Sequence, residues 1–162
     1  MNDRESLFLG IISGERKRDH AEVAGRTERI AGGLHRLGVK PGDSVCILMR
    51  NDIAFIEAAY AAMRLGAYGV PINWHFKPDE INYVLKDSGS SVLVGHADML
   101  HQLREAIPTD TTVLSVPTPL EILANYKIDP DHLATPDFAT DLESWLDSNA
   151  HTTARRCRSL RT

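Results

Sequence analysis

Residues 38–66 read GVKPGDSVCILMRNDIAFIEAAYAAMRLG, and their reading decides the fold. A Pro-Gly-Asp turn leads into the apolar run Ser44 to Met49, a polar corner follows, and an alanine-rich stretch ends on Arg64-Leu65-Gly66. Turn, buried strand, corner and helix in that order make half of a crossover unit. Such units often grip a phosphate at the corner, yet Met49-Arg50-Asn51-Asp52 contains no glycine.

The same punctuation recurs along the chain. Arg36-Leu37-Gly38 and Lys86-Asp87-Ser88-Gly89 repeat the ending: a cation in the last helical turn, where it complements the helix dipole, and a glycine just beyond. Short apolar runs follow at Ala67 to Ile72 and Ser91 to Val94, and Thr112 to Val116 reads as a further strand. Strands alternating with helices at this spacing predict an α/β fold, a mostly parallel sheet with crossover helices.

Helix starts are equally legible. Asp19 and Glu22 stand in a capping-box relation ahead of Val23, Ile30, Leu34 and Leu37. Asn51 is predicted to cap the second helix, with Ile53, Ile56, Tyr60 and Met63 as its apolar stripe. Pro78, Asp79 and Glu80 open a third helix carrying Ile81, Val84 and Leu85, and a fourth is expected from Ala97 to Ile107. Ile11 to Arg16 suggests a hairpin around Ser-Gly. Short helices are expected near Leu120 to Tyr126 and near Phe138 to Leu146.

Composition narrows the function classes. The chain has 162 residues and a formal net charge of -4, room for one core and no basic surface for generic nucleic-acid binding. Two cysteines far apart, Cys46 and Cys157, make neither a disulfide framework nor a zinc spacing. The one early apolar run, Leu7 to Ile12, is too short for a signal segment or a membrane span, so a soluble cytoplasmic chain is expected. The last twelve residues hold four arginines and no acid, whereas the first 150 hold all 22 Asp and Glu. The expected organisation is a domain segment over 1–149 and a basic, disordered tail over 150–162.

In an open parallel sheet, ligands sit beyond the carboxyl ends of the strands. The Ser/Gly stretch Asp87 to Ser91 follows a helix and precedes a strand, so it is a turn at the opposite edge. At the carboxyl edge Arg50, His75, Lys77 and His96 are the candidate anion cluster, weighed against ordinary caps and solvated corners. His96, Asp98 and His101 do not share one helical face, so no metal site is expected. Neither Gly-x-Ser-x-Gly, nor a Walker loop, nor Gly-x-Gly-x-x-Gly occurs. No residue stands out as catalytic.

Several segments together resemble one family. Leu37-Gly38-Val39 with Pro41-Gly42-Asp43 comes first, then Asn51 opening a helix that ends Leu65-Gly66-Ala67. Val70-Pro71-Ile72-Asn73, Glu80-x-x-Tyr83 and Asp87-Ser88-Gly89 follow. In order and spacing they resemble the N-terminal part of the AMP-forming adenylating enzymes, over roughly residues 7–148. Trp74-His75 after Asn73 is most similar to the fatty-acyl-CoA synthetase branch.

The resemblance implies an intact enzyme that uses ATP, Mg²⁺ and coenzyme A to activate a carboxylic acid, in that branch a fatty acid. It also implies a Ser/Thr/Gly-rich phosphate loop soon after the helix around Trp145, where this chain reads SNAHTTARRCRSLRT instead. The expectation is therefore a truncated portion, inactive alone and in need of no cofactor, whose exposed sheet edge favours self-association. The alternatives are a stand-alone α/β binding or interaction module, or one half of a split ligase.

Overall fold

The structure is a computed structural model that describes residues 9–148. A hairpin of β1 (Gly10–Ser13) and β2 (Arg16–Asp19) leads into α1 (His20–Arg36). Then come β3 (Ser44–Leu48), α2 (Ile53–Arg64), β4 (Tyr68–Pro71), α3 (Pro78–Asp87), β5 (Val92–His96) and the single turn α4 (Ala97–Leu100). The chain continues through β6 (Thr112–Val116), α5 (Leu120–Tyr126), a 3₁₀ turn (Pro130–His132), β7 (Thr140–Asp141) and a helix over 142–148, here α6.

The five strands β4-β3-β5-β6-β7 form one sheet in that order, every neighbouring pair parallel. From β3 the chain steps outward to β4, then crosses back to β5 on β3's other side. The order therefore reverses between β3 and β5, and the crevice of such a sheet opens there. Both central strands are buried along nearly their whole length, which explains why they read as continuous apolar runs rather than alternating ones.

Two apolar layers cover the faces. On one, Ile30, Leu34, Ile47, Ala58, Ala61, Ala62, Val94 and Leu146 join α1, α2 and α6 to the sheet. On the other, Leu48, Ile81, Leu85, Leu93, Leu103 and Ile107 join α3 and the turns after β5. Gly38 (φ 94°) and Gly66 (φ 73°) take the left-handed conformation that ends α1 and α2, as the repeated Leu-Gly ending requires.

Four details differ from the sequence reading. The cap of α2 is Asp52, one residue after Asn51, and its carboxylate accepts from the Ile53 N–H. The α2 stripe is displaced: Ala58, Ala61 and Ala62 face the core, while Tyr60 and Met63 are 51% and 65% exposed. Close approach of α2 to α1 and the sheet selects the small side chains and turns the bulky ones outward. The expected fourth helix is one turn, after which consecutive turns still bury Leu103 and Ile107, because the apolar spacing alone fits turns as well as a helix. Finally, the segment from Phe138 begins with β7, too short for any periodicity, and its helix starts only at 142. The predicted tail lies outside the described residues.

Candidate functional site at the carboxyl edge

At the reversal point the corner after β3 meets the corner after β5, and ionic pairs lock them together. Arg50 Nη1 donates to Asp98 Oδ2 at 2.8 Å, and the Thr118 hydroxyl donates to Asp98 Oδ1 at 2.6 Å. The Arg50 guanidinium also lies 5.1 Å from the Trp74 ring centroid and 4.7 Å from that of Tyr126. Those rings meet edge to face. Arg50 thus draws together the segments after β3, β4, β5 and β6.

Beside it stands a second set. His96 is fully buried, and the Arg50 backbone N–H donates to its Nδ1 at 3.4 Å. That contact leaves the proton on Nε2, which faces Asp52 Oδ2 at 3.2 Å. Arg16, from the hairpin, donates to Asp52 Oδ1 at 2.6 Å and to Glu121 Oε1 at 2.7 Å.

Burial alone would push the Asp52 carboxyl up. The hydrogen bonds from His96 and Arg16 outweigh it and hold the group below the ordinary carboxylate range. Glu121 is likewise lowered, first by its bond from Arg16. For Arg16 itself, desolvation is outweighed by Glu121 and Asp52, and the guanidinium is raised.

Of the four candidate residues, the structure brings Arg50 and His96 into direct contact and uses both internally. The His75 ring lies against Trp74, centroids 3.5 Å apart, and is exposed; the exposed Lys77 gives its backbone N–H to Glu80. His101 faces the Ala134 carbonyl and stacks near His132 instead of joining His96 and Asp98. Among the described residues no group of three His, Cys, Asp or Glu side chains is placed to hold a metal. Sequence reasoning passed over Arg16, Asp52, Glu121 and Tyr126, whose roles become legible only once the strand order is known.

The helix starts at this edge already carry negative charge. Helix starts attract anions through free N–H groups and the dipole. Here α2 opens on Asp52, whose carboxylate takes the first N–H, and α3 opens on Pro78, Asp79 and Glu80. Asp98 and Glu121 occupy the first turns of α4 and α5. Each helix start at this edge thus carries its own carboxylate, and Arg16 and Arg50 are both neutralised.

The class defined by this fold and edge is a parallel α/β sheet layered between crossover helices. The chain belongs to the AMP-binding enzyme family, whose model matches residues 2–149. It is 41% identical to feruloyl-CoA synthase of Amycolatopsis sp over 75 residues, 46% of this chain and 15% of that protein. To 3-hydroxybenzoate–CoA ligase of Aromatoleum sp. (strain CIB) it is 27% identical over 150 residues, 88% of this chain and 29% of that one. A benzoate CoA ligase from Burkholderia xenovorans LB400 shares the fold, with a TM-score of 0.68 at 18% identity over 86% of this chain and 25% of the other. The chain spans less than a third of each of these relatives.

Proposed function

We propose that residues 9–148 are the scaffold portion of an AMP-forming acyl-CoA ligase. Such an enzyme activates a carboxylic acid with ATP to an acyl-adenylate and passes the acyl group to coenzyme A, with Mg²⁺ accompanying the nucleotide. The family match over residues 2–149 carries this reading. The names of the relatives, synthases and ligases that form CoA thioesters, support it. Trp74-His75 favours a fatty acid as the substrate, and the described residues hold no helix long and apolar enough to cross a membrane, in keeping with a cytoplasmic enzyme. The scaffold itself binds no phosphate on this reading, because α2 is capped by Asp52 and α3, α4 and α5 each carry an acid in the first turn.

The purified chain should catalyse no carboxylate-dependent exchange of labelled pyrophosphate into ATP. A chimera tests the scaffold role directly: residues 9–148 replace the matching segment of the 3-hydroxybenzoate–CoA ligase. Exchange dependent on 3-hydroxybenzoate should survive in the chimera. Exchange by the chain alone, or a folded chimera without exchange, would overturn the proposal.

A further inference from the structure

A groove of about 440 Å³ lies between α1 and α2 and shares no lining residue with the carboxyl-edge set. Its walls are Val23, Ala24, Tyr60 and Met63. Tyr60 and Met63 are more than half exposed, although bulky apolar side chains of this kind usually face the core. Along α1 the lining runs from His20 to Thr27, about 10 Å of helix, which is the reach of a medium-length acyl chain.

Both ends are polar, the exposed His20 at one and Arg64 at the other, with the apolar walls between them. At the Thr27 end lies Arg64, whose guanidinium reaches Glu28, the next residue of α1, in a long 3.3 Å contact between exposed side chains. Exposed pairs of this length hold each other weakly. Thr27 is buried beneath the groove, and its hydroxyl has no hydrogen-bond partner, a state that calls for an explanation in a folded protein. The groove therefore has apolar walls, a displaceable cation at one end and an orphan hydroxyl among its lining residues.

We propose that this groove binds the free carboxylate of a medium-chain aliphatic acid, head group on Arg64 and tail along Val23, Ala24, Tyr60 and Met63. The carboxylate takes Arg64 from Glu28, so the acid side chain competes with the ligand. The site is separate from the carboxyl edge, and the absence or presence of exchange activity leaves it untouched.

The full chain is titrated with octanoate, at a concentration where sedimentation shows a monomer, and amide shifts are followed by NMR. Saturable shifts are expected at Val23, Ala24, Thr27, Tyr60 and Met63, and none at Arg50 or Asp98. Octanol should bind about tenfold more weakly. Arg64→Gln should weaken octanoate by about threefold to fivefold, and Glu28→Gln should tighten it by about twofold to threefold, both in the range of an exposed ion pair. Ala24→Trp, which fills the groove, should abolish the shifts. Equal binding of octanol, no effect of either charge change, saturable shifts at the carboxyl edge, or no saturable shift at all would each overturn the proposal.

Discussion

At Gly33, on the face of α1 that meets α6, there is room for a hydrogen and nothing larger: a Cβ built there would lie 2.1 Å from Cη2 of Trp145. Gly33→Ala should cost about 1–3 kcal/mol in denaturant unfolding, the usual range for an overpacked core. Adding Trp145→Leu should recover part of that loss, and full stability of the single variant would show that the indole moves freely. Asp52 makes a second test at this scale. Its folded carboxyl sits below its unfolded value, so it adds stability that is complete above the ordinary carboxylate range and is lost as pH falls through the lowered value. Asp52→Asn should flatten the acid limb of the stability curve below about pH 4, and an unchanged limb would dismiss this carboxylate as a contributor. The candidate site was half legible at this scale. Arg50 and His96 stand out in the sequence because arginine and histidine at corners do; their acidic partners do not, because Asp52 and Asp98 also read as ordinary helix-start residues.

The hairpin of β1 and β2 is the element with the least apolar support, since none of its eight strand residues is buried. It docks through charge instead. Arg16 reaches Asp52 and Glu121, and Arg18 reaches Glu57, a fully buried carboxylate of α2 that Arg26 of α1 also holds. The bonds that Arg26 donates to Glu143, working against desolvation and joined by those to Glu57, raise its guanidinium well above the ordinary value. Hydrogen exchange should therefore show the hairpin amides opening sooner in Arg16→Gln and Arg18→Gln than in the parent, with β3 and β5 unchanged. Equal protection would mean that backbone pairing alone seats the hairpin. Elements of this kind were readable where a local signal existed. The Asp19–Glu22 capping box forms as the pattern demands, and Thr112–Val116 has the expected ends. The α2 stripe held at Ile53 and misled at Tyr60 and Met63, where the alanines, also legible as small residues suited to close packing, take the core face instead.

On the scale of the whole molecule, alternation of strands and helices was enough to reach a parallel α/β sheet, but not the order β4-β3-β5-β6-β7, which depends on contacts far apart in the chain. Among the described residues β4 and β7 have one neighbour each, and Tyr68 at the start of β4 is 66% exposed. Open edges recruit other strands. Sedimentation velocity should show concentration-dependent association of the chain, reduced in Tyr68→Lys, and a monomer at every concentration would count against edge pairing.

The sheet order also bears on how the molecule assembles. Ser90 ties β3 to β5 at the amino edge: its hydroxyl donates to the Ser44 carbonyl and accepts from the Cys46 N–H, a residue 44 positions earlier. Closing a loop of that length costs about 3 kcal/mol before any strand hydrogen bond offsets it. Among the neighbouring strand pairs of the sheet, β3 and β5 close the longest loop, and α2, β4 and α3 must be accommodated within it. That pairing is expected to form in the rate-limiting step, so Ser90→Ala should slow refolding more than it speeds unfolding in stopped-flow traces, and the reverse would place the pairing later.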